Sequence, residues 1–230
     1  MNSTIGQTAL TALIALAFGF LGAAAWSYSG LADNRTRSYL VSNPGVLSEV
    51  AEALQQQQVG ERLTSLGDEV FNPFPGAVIG NPDGSKVLVE FTDYNCPYCE
   101  ASLADVQTLV AEDPDLKVVM REWPIFEGSE GAARMALAAG KQGKYRAFHE
   151  KMFQFAPTTP ESIDQAARAA GLDMERANRD AASDAVTVEL QRNLAYAQEL
   201  GFSGTPAFIA GDTPIAGAVG ADRLRDALNR

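Results

Sequence analysis

Apolar residues along this chain form either short continuous runs, which are typical of strands, or spaced stripes, which are typical of helices. The run at residues 87–91, Val-Leu-Val-Glu-Phe, is short and rich in β-branched residues, which predicts a buried strand. From Cys96 onward, apolar residues three and four apart predict a helix that ends before Asp113-Pro114. The polar segment at residues 92–95 connects them. The chain therefore passes from a buried strand into a helix within a few residues.

The same patterns predict the elements of the remaining chain. In order, they are an edge strand and turn within residues 68–84, a second strand over 116–123, helices at 132–139, 144–155, 160–170, 174–181 and 186–200, a hairpin within 207–216, and a last helix from Ala221. This is a strand–helix–strand unit, a helical insertion at about residues 127–201, and a closing hairpin and helix. The order predicts a mixed α/β fold.

The N-terminal residues follow a different pattern. Residues 1–25 contain no charged side chain, and residues 9–26 form an almost unbroken apolar run with three alanines at residues 23–25. A short apolar run with small residues at its end is typical of a secretory signal peptide, but its length also reaches the lower limit for a membrane span. We therefore expect residues 1–26 to be either a signal peptide cleaved near Ala25 or an anchor over residues 9–26.

Residues 27–67 are predicted to be a polar linker followed by a helical arm over residues 39–66. Asn43 is the expected N-cap of this arm, and Pro44 suits the first helical position. The arm carries one short apolar stripe. We expect this stripe to pack on the main domain, residues 68–230, and homo-oligomerisation through the arm is the alternative.

Cys96 and Cys99 are the only cysteines in the 230 residues, and Pro97-Tyr98 separates them. The first turn of a helix has unpaired N–H groups and a partial positive charge. A thiolate on Cys96 is stabilised there. We expect Cys96 to be the exposed attacking sulfur and Cys99, one turn further in, to be the buried resolving sulfur. Asn95 is expected to cap this helix.

Two other uses of the cysteines fit less well. A structural disulfide between residues three apart closes so short a loop that it stabilises little. A closed zinc site needs four ligands, and the chain offers two cysteines and His149. We therefore expect a redox dithiol, with no metal and no small-molecule cofactor. The net charge of −11 argues against nucleic acid as a partner.

Three segments together resemble the DsbA family of thiol–disulfide oxidoreductases. They are the strand and dithiol segment at residues 90–99, the segment at 143–149 that contains Gly-Lys-Tyr and Phe-His, and the segment at 201–208, Gly-Phe-Ser-Gly-Thr-Pro-Ala-Phe. The segment at residues 39–44 is similar to that of the family members with an N-terminal arm, the Com1 and ScsC types. The resemblance covers roughly residues 39–230. It implies a thioredoxin-like α/β fold with an inserted helical subdomain and an N-terminal helical arm.

The resemblance also implies roles for single residues. Pro206 matches the family's cis proline, which faces the dithiol and leaves the backbone of Thr205 free to pair with a substrate strand. Glu90 matches the buried acid below the active site, whose raised pKa would let it exchange a proton with Cys99. Pro97 and Tyr98 would tune the redox potential and contact the substrate.

Two further positions, Tyr98 and His149, bear on the resemblance in different ways. The oxidising members of the family usually carry Pro-His between the cysteines, and Tyr98 departs from that pattern, which puts the oxidising strength in question. His149 matches a recurring family position, but the sequence shows no connection to the thiols. We expect His149 to be structural.

The resemblance implies thiol–disulfide exchange on unfolded or reduced exported proteins, with disulfide formation favoured and a membrane redox partner that resets the dithiol. A lone dithiol behind an export-like segment favours the oxidising periplasm. By the positive-inside rule alone, Arg35 and Arg37 after the apolar run would instead place the body of the protein in the cytoplasm. The alternatives are an isomerase or reductase of the same fold, or a non-catalytic thiol protein that binds Cu(I) or acts as a chaperone.

Overall fold

The structure, a computed structural model, describes residues 2–28 and 31–229. The side chains of residues 2–11, 26–28, 31–34, 52, 55, 56 and 59 lie outside this description. The contacts between residues divide the chain into two compact units, residues 1–55 and residues 56–230.

The first helices lie near the N-terminus: α1 (Asn2–Tyr28), α2 (Leu31–Ser42) and α3 (Gly45–Leu66). The segment expected to be a polar linker is mostly helical, because no glycine or proline interrupts α2. The Asn43 amide does not cap α3. It donates instead to the carbonyl of Tyr39 at 2.9 Å and so closes the end of α2.

The predicted signal peptide or membrane anchor over residues 1–26 falls partly on residues outside the description. Within the part of the chain that the structure describes, no helix is both long enough and apolar enough to cross a membrane.

The remaining elements follow the predicted order closely. They are the 3-10 helix η1 (Gly67–Phe71), β1 (Val78–Gly80), β2 (Lys86–Thr92), α4 (Pro97–Glu112), β3 (Leu116–Glu122), α5 (Glu130–Gly140), α6 (Tyr145–Gln154), α7 (Pro160–Ala169), α8 (Met174–Ala181), α9 (Asp184–Glu199), β4 (Ala207–Ala210), β5 (Thr213–Ala216) and α10 (Ala221–Leu228).

The five strands form one mixed sheet in the order β1-β3-β2-β4-β5. The central strands β2 and β3 are parallel, and the other three pairings are antiparallel. In the parallel pair, Glu90 lies opposite Met120, and Thr92 lies opposite Glu122. Helices α5 to α9 are inserted between β3 and β4. This arrangement confirms the predicted thioredoxin-like α/β fold with a helical insertion.

Alternation along the strands divides the buried apolar side chains into two cores. Leu88, Met120 and Phe208 belong to the larger core, to which α4, α5, α6 and α10 contribute. Val89 and Phe91 belong to the smaller core, to which η1 and the C-terminal part of α9 contribute. We call these two sides of the sheet the α4 face and the η1 face.

Candidate active site

The two cysteines lie at the start of α4, directly after the polar segment that follows β2. Cys96 is the N-cap residue, and Pro97 takes the first helical position, where its missing N–H leaves no hydrogen bond unmade. The Cys96 carbonyl accepts hydrogen bonds from the amides of Cys99 at 3.1 Å and Glu100 at 3.2 Å. Both cysteines are free thiols. The helix start therefore brings the two sulfurs of the predicted dithiol into one turn.

The expectation that Asn95 caps this helix is wrong. The N-cap is Cys96, one position later, and no side chain caps it. The Asn95 side chain instead donates from Nδ2 to the Glu127 carbonyl at 2.9 Å. Its Oδ1 accepts from the backbone N–H of Thr158 at 2.9 Å. Asn95 thus ties the cysteine turn to the inserted helices.

The expectation that Cys96 is exposed is also wrong. Only 2% of the Cys96 surface is accessible, whereas Tyr98 is 66% exposed. The loop before β4 covers the sulfur: Cys96 Sγ donates to the Thr205 carbonyl at 3.2 Å. The Thr205–Pro206 peptide bond is cis, as predicted. The structure therefore brings Cys96, Thr205 and Pro206 together.

Cys99 is buried beneath the turn, with 1% of its surface accessible. Burial raises the pKa of the Cys99 thiol, and a charge on Glu90 or Cys96 would raise it further. The thiol form of Cys99 is therefore strongly favoured. A reaction that uses this sulfur as a thiolate needs a nearby group that exchanges its proton.

Glu90 lies on the α4 face of β2, next to Leu88 in the alternation, and is 2% exposed. Burial raises the pKa of its carboxyl to about 8. No hydroxyl or amide among the described residues donates a hydrogen bond to it. At neutral pH Glu90 is accordingly a protonated carboxyl close enough to Cys99 for its charge to affect that thiol.

A second buried polar cluster lies on the same face, and most of it was not predicted from the sequence. Glu122 Oε1, at the end of β3, accepts hydrogen bonds from Tyr94 Oη at 3.1 Å and Tyr145 Oη at 2.5 Å. His149 Nδ1 lies 3.0 Å from the same Tyr94 hydroxyl. All four side chains are buried. We call them the Glu122 cluster.

Burial controls the ionisation of this cluster. Desolvation raises the pKa of Glu122 to about 8, although the hydroxyls of Tyr145 and Tyr94 act in the opposite direction. Desolvation lowers the pKa of His149 to about 3, so its imidazole is neutral. Tyr94, Tyr145 and His149 lie in segments that resemble the family, but for Glu122 the only sequence signal was a glutamate at the end of a predicted core strand.

Asp93 fixes a neighbouring loop to the cysteine turn. Its Oδ2 accepts from the amides of Ile125 at 2.6 Å and Phe126 at 2.9 Å and from the Ser129 hydroxyl at 2.8 Å. Its Oδ1 accepts a hydrogen bond from the backbone N–H of Asn95 at 2.7 Å. Ile125 and Phe126 remain partly exposed, at 41% and 44%. The loop therefore presents two apolar side chains on a rigid backbone.

In the described part of the chain, no group of three or more His, Cys, Asp and Glu residues is placed to hold a metal ion.

A thioredoxin-like fold with a dithiol at the start of its first core helix, opposite a cis proline, defines the class of thiol–disulfide oxidoreductases. Residues 87–229 match the DSBA-like thioredoxin domain family. The chain belongs to this family, whose solved members similar to it are thiol–disulfide oxidoreductases.

Two solved structures illustrate the likeness. A thioredoxin-like oxidoreductase from Silicibacter pomeroyi is 44% identical, with a TM-score of 0.67 over 71% of this chain and 96% of that one. A linker-deletion mutant of Proteus mirabilis ScsC is 32% identical, with a TM-score of 0.68 over 86% of this chain and 92% of that one. The ScsC likeness fits the arm-bearing branch that the sequence indicated.

The curated relatives are much longer than this chain. A Na(+)/H(+) antiporter NhaA from Herminiimonas arsenicoxydans is 30% identical over 224 residues, which are 94% of this chain and 35% of the antiporter. The chain thus spans about a third of the length of that relative.

Proposed function

We propose that this chain catalyses disulfide formation in reduced, exported proteins through the dithiol of Cys96 and Cys99. The observation that carries the proposal is the contact between Cys96 Sγ and the Thr205 carbonyl, 3.2 Å apart, with Cys99 buried one turn behind. The reacting sulfur therefore lies beside a backbone segment that could hold an extended substrate.

The reaction starts from the oxidised form, in which a disulfide joins Cys96 and Cys99. A substrate thiolate attacks the Cys96 sulfur, a mixed disulfide forms, and the Cys99 sulfur leaves as a thiolate. Because Cys99 is buried, this thiolate takes the proton of the Glu90 carboxyl. A second substrate thiolate then attacks the substrate sulfur and releases Cys96. The substrate loses two electrons, and the dithiol gains them.

Substrate contact is assigned to the residues around the turn. The backbone of Thr205 would pair with an extended substrate segment as an added strand, and Pro206 holds that backbone next to Cys96. Pro97 and Tyr98 would tune the potential of the dithiol, and the exposed ring of Tyr98 would contact the substrate. A disulfide-bearing membrane partner would accept the two electrons and restore the oxidised form.

We assign the domains as in the sequence analysis. Residues 1–26 would be a cleaved signal peptide or an anchor over residues 9–26, residues 27–67 the linker and helical arm, and residues 68–230 the DsbA-like domain. The proposed site of action is the periplasm. The apolar N-terminal run and the lone dithiol support this assignment.

Isomerisation or reduction by the same dithiol is the second candidate. It is supported by apolar side chains exposed on α2 and α3, such as Val41 at 73% and Leu47 at 54%. A homo-oligomer formed through residues 39–66 would cover them. Such an enzyme acts with its dithiol reduced, so the two candidates require opposite redox states of the same two sulfurs.

The roles of the sulfurs are tested by trapping. In a Cys99→Ser variant, the mixed disulfide on Cys96 cannot resolve, so covalent complexes with a reduced unfolded protein should accumulate on non-reducing gels. The matched Cys96→Ser variant should accumulate few, because its remaining sulfur lies one turn further from the Thr205 backbone and strongly favours the thiol form. Equal trapping by the two variants would contradict the assigned roles.

The direction is tested by the reduction potential of the dithiol, measured by equilibration with glutathione. A value near about −120 mV is expected of an oxidase and a value near about −270 mV of a reductase. A potential at the reductase end would replace the first candidate with the second.

A further inference from the structure

The loop between β3 and α5, residues 123–129, is hydrogen-bonded to the segment that carries the dithiol. Asp93 Oδ2 accepts from the backbone N–H groups of Ile125 and Phe126, at 2.6 and 2.9 Å, and from the hydroxyl of Ser129 at 2.8 Å. These three bonds fix the loop to a residue that lies just before the cysteine turn.

Asp93 is also bonded to the cysteine turn itself. Its Oδ1 accepts from the backbone N–H of Asn95 at 2.7 Å, and its carbonyl accepts from the backbone N–H of Cys96 at 3.2 Å. Asp93 is 1% exposed, and burying a polar group is costly unless hydrogen bonds satisfy it. Because one carboxyl oxygen serves the turn and the other serves the loop, Asp93 holds the two segments next to each other.

Other residues fix the second half of the loop. Asn95 Nδ2 donates to the Glu127 carbonyl at 2.9 Å, and Thr158 Oγ1 donates to the Gly128 carbonyl at 3.0 Å. The backbone N–H groups of residues 125 and 126 are held by Asp93 instead. Loss of the Asp93 carboxyl should therefore loosen these two positions first.

The two positions that Asp93 holds carry apolar side chains. Ile125 and Phe126 remain partly exposed although their backbone is fixed, and Tyr98, between the two cysteines, is exposed as well. Three apolar or aromatic side chains thus border the dithiol. An exposed apolar surface beside a reactive group is typical of a binding site.

The occupant that this surface fits is the part of a substrate chain that lies next to its reacting cysteine. In the mixed disulfide that part is bonded to Cys96, and it is therefore brought to the loop. Cysteine and the large apolar residues are those most often buried in folded proteins. An unfolded substrate therefore exposes apolar side chains together with its thiols.

We propose that Asp93 is a positioning residue for substrate binding: by fixing the backbone of Ile125 and Phe126, it keeps a preformed site for an apolar side chain beside the substrate's cysteine. This inference rests on the proposed disulfide exchange, because the site receives the chain that is bonded to Cys96. A preformed site loses less entropy when a ligand binds than a loop that must first become ordered. Asp93 should therefore affect substrate affinity and not the reaction of the sulfurs.

The test compares two dithiol peptides that differ only in the residue beside the reacting cysteine, leucine in one and serine in the other. Single-turnover oxidation by the preoxidised protein, at a series of peptide concentrations, gives a half-saturating concentration and a limiting rate. The unaltered protein should half-saturate with the leucine peptide at a concentration roughly tenfold lower than with the serine peptide, as expected for burial of one apolar side chain. The limiting rates should be similar.

Asp93→Asn should remove most of this preference. The amide nitrogen of asparagine cannot accept a hydrogen bond, so in either orientation one side of the clamp loses its acceptor. The half-saturating concentration should rise for the leucine peptide and change little for the serine peptide. The limiting rate and the reduction potential of the dithiol should stay as they are. Asp212→Asn is the matched control: it makes the same change in the exposed turn between β4 and β5, at the end of β4 away from Pro206.

Two further variants act on the same contact. Phe126→Ser removes an apolar side chain but keeps the backbone N–H that Asp93 binds, so it should also reduce the preference. Adding Asp93→Asn to Phe126→Ser should reduce it less than Asp93→Asn does alone, because the two changes act on one site. Ser129→Ala removes one donor to Asp93 and leaves both backbone bonds, so it should have the same effect as Asp93→Asn to a smaller extent.

Amide hydrogen exchange gives a readout independent of activity. The backbone N–H groups of Ile125 and Phe126 should exchange faster in Asp93→Asn, whereas that of Val119, within β3, should stay protected and so show that the variant is folded. Equal half-saturation of the unaltered protein by the two peptides would overturn the inference. So would a variant whose potential and limiting rates change while the preference stays. Failure of the unaltered protein to oxidise either peptide would instead overturn the proposed function.

Discussion

Arg121 and Glu122 are neighbours on β3, and their side chains lie on opposite faces of the sheet in opposite electrostatic surroundings. On the η1 face, Arg121 is fully buried, pairs with Glu189 at 2.6 Å, and donates to the Val70 and Asn72 carbonyls at 2.9 and 2.6 Å. On the α4 face, Glu122 has hydroxyl donors, and no described residue places a cation beside it. One face carries a matched ion pair, and the other carries an unmatched acid.

The difference shows how burial serves two purposes in one sheet. Arg121 keeps its charge because Glu189, Asn193 and several carbonyls surround it, and the cluster joins β3 to η1 and α9. Glu122 and Glu90 keep their protons, because no cation offsets their desolvation. The first arrangement fixes the fold, and the second can change protonation state during a reaction. Substitutions in the ion pair of the η1 face and in the acids of the α4 face should therefore have different effects on stability.

The largest effect is expected from Arg121→Met, which removes the buried cation and leaves Glu189 with only the half-exposed Arg192 as an ion-pair partner. Loss of one partner from a buried pair costs about 3–5 kcal/mol. Urea denaturation should show this loss of stability. Arg192→Ala is the matched control: Arg192 also contacts Glu189, at 3.3 Å, but is half exposed, so about 0–1 kcal/mol is expected. Equal losses would show that the η1 face is not held by the buried pair.

The unmatched acids should make stability depend on pH in the opposite sense to ordinary carboxylates. Between pH 4.5 and 8 the folded protein keeps protons on Glu90 and Glu122 that the unfolded chain has lost. Their contribution is therefore full below pH 4.5 and is lost as the pH rises to about 8, at up to ~1.4 kcal/mol per pH unit for each carboxyl.

Replacing either acid should flatten this slope. Urea midpoints measured from pH 5 to pH 7 should decline less steeply in Glu90→Gln and in Glu122→Gln than in the unaltered protein. Over two pH units, one replacement should recover at most about 3 kcal/mol. A slope that both variants leave unchanged would mean that these carboxyls are ionised in the folded protein.

His149 should act on the acid side of the same curve. Its folded pKa of about 3 lies below its ordinary value of 6.5, so the unfolded chain binds a proton that the folded protein excludes. Stability is therefore lost as the pH falls below 6.5. His149→Phe keeps an aromatic ring and removes this loss, so between pH 6.5 and 5 the variant should gain up to about 2 kcal/mol relative to the unaltered protein. A constant difference between the two proteins would argue against a neutral buried imidazole.

The smallest effect compares one tyrosine hydroxyl from each face. Tyr145 Oη donates to Glu122 at 2.5 Å in the interior, whereas Tyr196 Oη donates to Glu69 at 3.4 Å near the surface. Tyr145→Phe should cost about 1–2 kcal/mol in thermal or urea unfolding, and Tyr196→Phe about 0.5 kcal/mol or less. The reverse order would contradict the importance assigned to Glu122 as an acceptor.

Local patterns predicted most of the fold. The apolar run of β2, the helical spacing of α4 and the hairpin of β4 and β5 each depend on residues within a few positions, so the sequence alone locates these elements. The dithiol was found for the same reason, because its two residues are close in sequence.

The errors lie where distant segments meet. Cys96 was expected to be exposed at the start of its helix, but Thr205, more than a hundred positions later, covers it. The Glu122 cluster combines β3 with two segments that lie 28 positions before and 23 positions after its carboxyl. No pattern within one segment indicates such a meeting, because it depends on how the inserted helices pack against the sheet.

The pairing of β2 with β3 has a consequence for attempts to transplant this chemistry. The Cys96–Cys99 turn can be copied as a short peptide motif, but the acids beneath it depend on two strands aligned with Thr92 opposite Glu122. Because side chains alternate along a strand, a shift of β3 by one position would bring Arg121 under the dithiol and turn Glu122 away. A graft of the four-residue motif alone would therefore carry the sulfurs without the acid proposed as their proton donor, whereas a graft of both strands in their native alignment would carry the sulfurs and both buried acids.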